Sequence, residues 1–297
     1  MASPTTPTHG KFGAMYRLRP NGFKGSGLAD ATWGLSYSGG ASAYYEVEIQ
    51  TAAAPDKFQW KKNGGAYTQN VSITGAAQTL DSTQTITFVA TTGHTVGDRW
   101  VIGNLAAEGT TEATVYAQIT DATHRVINPN APHVWTDSGG KNLLIVDYTR
   151  GLATFDGNTT IVTVAGNNGY IPELALEKEG YLIDWSLNIT VDMGDASRMG
   201  QQWKEAVPGM AGGEGSANSY LLGEKAFLSE ITREAAGTQK YVLLELFNYD
   251  PDQDQTGDHL LVWAVITGIS PSAAVGEVSK DPITFRLVGI PSFVENV

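Results

Sequence analysis

From Ile183 to Asp192 the sequence alternates without a break. Ile183, Trp185, Leu187, Ile189 and Val191 occupy one set of positions, and Asp184, Ser186, Asn188, Thr190 and Asp192 the other. A strand sends successive side chains to opposite faces, so this segment reads as a strand with one apolar face and one wet face. Ten residues at about 3.3 Å each span roughly 33 Å, well beyond the usual strand of about 5–6 residues. A chain that carries such an element has to build a sheet or barrel wall around it.

The period then changes. Ala196, Met199, Trp203 and Ala206 share one face of a short helix, with Asp192 or Asp195 as its cap and Pro208-Gly209 as its stop. The segment GMAGGEGSANS (209–219) is too rich in glycine for a regular element and reads as a long loop or extended arm. GEKAFLSEITREAA (223–236) places Phe227, Ile231 and Ala235 on one face ahead of Gly237, a second helix.

Elsewhere the signals are those of short strands. YYEVEIQ (44–50), KFQWKK (57–62), TITFVAT (85–91) and DRWVIG (98–103) follow a Gly-rich linker at 21–27, and Asn63-Gly64-Gly65 makes a hairpin turn after KFQWKK. Residues 21–118 therefore read as a compact β module. Past the loop NPNAPH, NLLIVDY (142–148), ATF (153–155) and TTIVTVA (159–165) are strands. QKYVLLELF (239–247), HLLVWAVITGI (259–269) and PITFRLVGI (282–290) complete the set, with Ile283, Phe285 and Leu287 inward and Thr284 and Arg286 outward. Lys11–Arg19 supplies a first strand after a Pro/Thr-rich tail. The fold class is mainly β, with one or two short helices.

Charge narrows the function classes. The chain of 297 residues has a net charge of −12 and no cysteine. Residues 1–150 hold 11 acids and 11 bases, and residues 151–297 hold 20 and 8, so the second half carries the excess. Such a chain is a poor grip for nucleic acid, which needs Lys and Arg to displace counterions. Without cysteine there is no disulfide framework, thiolate metal site or thiol nucleophile. No apolar run approaches a membrane span, and the N-terminus lacks the pattern of a signal peptide.

Sites of chemistry are not selected. Asp250, Asp252, Asp254 and Asp258 lack the Gly and Glu that a calcium loop needs at its sixth and twelfth positions; Gln255 and Leu261 stand there. The five histidines show no zinc-ligand spacing, and no G-x-S-x-G elbow occurs. Asp184, Asp192 and Asp195 lie close in sequence, yet strict alternation makes them wet-face and capping residues rather than the paired carboxylates of a glycosidase. We expect no enzyme activity, no cofactor and no metal. Trp60 and Trp100 leave a second reading open, a carbohydrate-binding or adhesin-type protein with the 21–118 module as its reader.

From residue 181 the order of parts resembles the major tail tube protein of long-tailed bacteriophages. A long alternating strand leads into VDMGDASRMGQQWKEAVPGM, then GGEGSANSYLLG, then EKAFLSEITREAAG. YVLLELF, WAVITGIS, the loop PSAAVGEV and ITFRLVGI follow. The resemblance covers residues 119–297 plus the first strand in 1–20, and 21–118 departs from it as an inserted module on the outer surface. It implies a tail-tube-like β-sandwich or barrel assembled as homo-hexameric rings stacked into a hollow tube. DNA would pass through that tube without specific binding. It also implies a place in the virion tail after synthesis in the host cytoplasm, with tape measure and tail terminator proteins as partners. On this reading Asp184, Ser186, Asn188, Thr190, Asp192 and Glu245 line the lumen. Met199, Trp203, Pro208, Gly209, Met210 and Tyr220 lie between subunits.

Overall fold

The computed structural model describes residues 8–18, 20–34, 37–81, 83–131, 133–195, 206–221, 241–247, 259–270 and 281–294. Nineteen strands run through them in chain order. The first are β1 (Thr8–Leu18), β2 (Phe23–Lys24), β3 (Ala31–Trp33), β4 (Ala43–Thr51) and β5 (Lys57–Lys62). Next come β6 (Thr68–Ser72), β7 (Gln78–Thr79), β8 (Thr85–Phe88), β9 (Arg99–Ala113) and β10 (Tyr116–Ile119). β11 (Val134–Asp137), β12 (Leu143–Asp147), β13 (Leu152–Phe155) and β14 (Val162–Tyr170) follow. The last are β15 (Leu176–Asp195), β16 (Ala206–Leu221), β17 (Tyr241–Phe247), β18 (His259–Ile269) and β19 (Asp281–Val294). The only helical pieces among the described residues are three short 3-10 turns. The helix expected over 196–206 lies outside the described residues apart from Ala206, which is in β16, and the one expected over 223–236 lies outside them entirely.

The chain divides into two compact units, 1–16 with 178–297 and 17–177. In the first, six strands close a barrel in the order β1-β15-β16-β19-β18-β17. Its interior holds Met15, Leu182, Trp185, Leu187, Ala217, Val242, Leu244, Leu246, Leu260, Val262, Ala264, Ile283 and Phe285, and Leu287 packs against them. These are the alternate residues of each strand, which is why the apolar pattern of period two was readable in β17, β18 and β19. Gly13 lets β1 approach closely: a Cβ there would stand 2.7 Å from the Glu245 carbonyl oxygen and 3.2 Å from the Leu182 Cβ.

The glycine-rich stretch 209–219 is a strand, against the loop or arm expected of it. Its glycines are sites where large neighbours need room. A Cβ on Gly213 would strike the Leu287 side chain, and one on Gly215 the Phe285 ring. Phe285 and Leu287 from the adjacent β19 fold over these bare positions, so the cross-strand partner supplies the apolar surface that glycine lacks.

The second unit contains two further cores. Phe23, Trp33, Tyr45, Val47, Ile49, Phe58, Phe88, Trp100 and Ile102 belong to one, and Leu105, Ile119, Ile127, Trp135, Phe155, Val162, Val164 and Tyr170 to the other. β9 passes through both. It pairs with β4 up to Asn104 and with β14 and β10 beyond it. Residues 119–177 lie in the same compact unit as 17–118, and β10 and β14 hydrogen-bond to β9. The turn after β5 falls where expected, with Asn63 and Gly64 both at positive φ (48° and 69°) and the Gly65 amide donating to the Lys62 carbonyl at 2.9 Å; the β5–β6 ladder resumes at Trp60↔Thr68.

Candidate assembly surface

The long alternating segment lies in β15, but its phase breaks once. Asp184 has φ of 51°, and the register with β16 shifts between Ile183 and Ser186. This bulge inserts one residue and turns the side chains before it. Leu182, opposite Ser219, takes the inward position. Ile183, expected inside, stands opposite Asn218 on the outward side. After the bulge Trp185 and Leu187 point inward as expected, and the Trp185 indole donates to the Phe247 carbonyl at 3.0 Å.

The outward side of β15 and β16, with Thr284 and Arg286 of β19 and Thr267 at the end of β18, is a polar surface. Ser186 faces Ser216, their hydroxyls 2.9 Å apart, and Asn188 stands opposite Glu214. Glu214 stands opposite Arg286, and Ser216 opposite Thr284. The Thr284 hydroxyl is 3.1 Å from that of Thr267. Asp184, Asn188 and Thr190 are exposed and Ser186 is half-buried. Asp192 is in the strand, and its side chain is outside the description. The surface is thus chiefly hydroxyl and amide, with Asp184 as an acid and Glu214 beside Arg286 as an opposed pair. Glu214 and Arg286 were missed as surface partners because the glycine-rich segment was not read as a strand. The acidic excess still belongs largely to this unit: residues 1–16 and 178–297 hold 17 acids and 9 bases.

Beyond this surface the β15–β16 pair continues without β19. β15 and β16 are paired from Gly180↔Leu221 to Asp195↔Ala206. β19 accompanies β16 only from Ser219 to Glu214. The remainder, Thr190–Asp195 with Ala206–Gly212, is a ribbon of about 20 Å with no further strand beside β16 among the described residues. Ile189 at its base is 41% exposed although its sequence position is apolar. Pro208, Gly209 and Met210 belong to this ribbon. Tyr220 does not: it pairs with Tyr181 at the other end of β16, about 33 Å from Met210. Met199 and Trp203 lie outside the described residues.

Glu245 occupies β17, separated from β15 by β1. Tyr16 donates its hydroxyl to Glu245 Oε2 at 3.0 Å, and His259 Nε2 is 3.3 Å from Oε1. Glu245 therefore anchors β1, β17 and β18 to one another, apart from the Ser186–Glu214–Arg286 surface.

In the second unit the ionisable groups are mostly tied into the fold. The His94 ring is fully buried, with Nδ1 2.9 Å from Asp56 and Nε2 2.9 Å from Asp30. Burial alone would raise Asp81, but hydrogen bonds from Thr83, Tyr45 and Lys62 outweigh it and hold its carboxyl well below the usual range. Burial pushes the Tyr45 hydroxyl up to about 12. Trp100 is 0% exposed and Trp60 packs against the same core. Trp100 has no open ring face, and Trp60 is half-buried. One group among the described residues could hold a metal ion: Glu108, Asp121 and His124. The acidic loop 250–258 is outside the described residues.

The described residues are thus almost entirely β, with a closed six-stranded barrel in one unit from which the β15–β16 pair runs on past β19. No protein-family model matches it, and no curated protein matches it. Among solved structures it is similar to a chain described as the tail of an empty GTA particle computed with helical refinement in C6 symmetry. The two are 17% identical, the match covers 40% of this chain and 87% of that one, and the TM-score is 0.27.

Proposed function

We propose that the chain is a structural subunit of a virion tail, which joins copies of itself into rings stacked around a channel. The observation that carries this reading is the β15–β16 ribbon beyond the barrel. The β16 edge of this ribbon has no neighbour among the described residues, and an unpaired strand edge invites another strand. A neighbouring copy of the same chain meets that need, and head-to-tail contacts of this kind close into a ring. Rings of six are the expectation from the tail-tube resemblance.

The polar surface beside the ribbon fits a channel wall. Serine, threonine and asparagine offer DNA no cationic anchor, Arg286 stands opposite Glu214, and the acidic excess of the unit repels phosphate. On this reading DNA passes through the tube, tape measure and tail terminator proteins meet its ends, and no chemistry is performed.

Replacing residues 190–212 by a short Gly-Ser turn tests the proposal. Sedimentation and negative-stain electron microscopy should show rings or tubes for the full chain and a folded monomer for the truncated one. Equal assembly of the two would overturn the role of the ribbon.

A further inference from the structure

We propose that Glu108, Asp121 and His124 form a binding site for a first-row divalent transition cation such as Zn²⁺ or Co²⁺. The proposal is independent of the tail reading. The three residues come from two elements brought together by the fold. Glu108 follows Ala107 on β9, whose φ of 47° breaks the strand and re-aims the next side chain. Asp121 caps the 3-10 turn that contains His124.

Each ligand atom is held in place by a neighbour. Asp121 Oδ1 accepts from the Thr123 amide at 2.9 Å and the Thr123 hydroxyl at 2.7 Å, which leaves Oδ2 for another partner. The Ser42 hydroxyl donates to Glu108 Oε2. The His124 ring packs tilted against Tyr170 with centroids 4.4 Å apart. Such outer contacts orient metal ligands.

The geometry at the centre fits a metal better than an ion pair. His124 Nδ1 is 3.3 Å from Glu108 Oε2 and 3.7 Å from Asp121 Oδ2, and the three ligand atoms lie within 4.8 Å of one another. Ligands about 2.1 Å from a tetrahedral ion stand about 3.4 Å apart. Nδ1 is a buried atom with no hydrogen-bond partner despite the two carboxylates beside it. It is close to both but aligned with neither, as ligands converging on a common point are. His124 and Glu108 are 15% and 14% exposed, while Asp121 is 47% exposed and opens the site to solvent. An imidazole with two carboxylates suits Zn²⁺, Co²⁺ or Mn²⁺ and leaves positions for water.

Tag-free full-length protein titrated with CoCl₂ and with ZnCl₂ tests the site. Calorimetry should give one equivalent per chain, and bound Co²⁺ should show the visible absorption of a site with a nitrogen ligand. His124→Gln and Glu108→Gln should each weaken binding at least tenfold while the far-ultraviolet dichroism stays unchanged. Asp137→Asn, a change at a carboxylate outside the cluster, should leave it as it was. If His124→Gln fails to fold, Asp121→Asn at the exposed ligand gives the same reading. Absence of binding below millimolar metal, or binding unaffected by these variants, would overturn the proposal.

Discussion

Replacing Gly215 by alanine tests the barrel where its sequence is least strand-like. A Cβ on Gly215 would lie against Phe285 Cζ, 2.6 Å from Cε2 of the same ring and 2.6 Å from the Ser186 carbonyl oxygen. The ring is 1% exposed and belongs to the barrel core, so it has little room to turn. The carbonyl belongs to the neighbouring strand of the ladder, so relief there requires β15 and β16 to part. Overpacking of this kind costs about 1–3 kcal/mol, and the second contact places Gly215→Ala near the top of that range. At about 3 kcal/mol the ratio of folded to unfolded chain falls roughly 160-fold. Gly212, three residues along the same strand, has no atom near its added Cβ, so Gly212→Ala should change stability by less than about 0.5 kcal/mol. Phe285→Leu removes the ring, and the double variant should be less destabilised than the sum of the singles by about 1 kcal/mol. Hydrogen exchange resolved to peptides of β16 and β19 reads these local stabilities without mixing in the second unit. Equal exchange in Gly215→Ala and Gly212→Ala, or strict additivity with Phe285→Leu, would refute the packing argument.

The second unit supports two more tests. His94→Gln removes the ring that bridges buried Asp56 and half-buried Asp30 and should cost about 3 kcal/mol, read as a lower urea midpoint for that unit; a loss under 1 kcal/mol would show the bridge to be incidental. Asp81 is held below its ordinary pKa, so its stabilisation is complete above the unfolded value of about 3.9 and is lost as pH falls through the lower folded value. Asp81→Asn should therefore lower stability at pH 7 and flatten the acid limb below about pH 4, whereas an unchanged acid limb would contradict the hydrogen-bond account.

Much of the fold was legible because period-two alternation survives in most strands. The runs 57–62 and 259–269 coincide with β5 and β18, and the inward set Ile283, Phe285 and Leu287 is as the sequence implied. What was not legible depends on neighbours. Gly213 and Gly215 read as loop formers until Leu287 and Phe285 are known to lie over them. Asp184 looks like any wet-face residue, and nothing local marks it as the bulge that sends Ile183 outward. The extent of β9, which ties 119–177 to the preceding segment, passes through Gly103 and Gly109 and a break at Ala107, all of which read as strand ends. Among the lumen candidates, Ser186, Asn188 and Thr190 share the polar side of the β15–β16 pair, while Glu245 is spent on Tyr16 and His259.

Assembly is the central claim, and its most direct measurement is electron microscopy of the purified full-length chain over a range of concentration and salt. The account predicts rings or stacked tubes with a central channel, with the β15–β16 ribbon lodged against the next subunit in a reconstruction. Monomers at every condition, or an assembly in which the ribbon points into solvent, would contradict it.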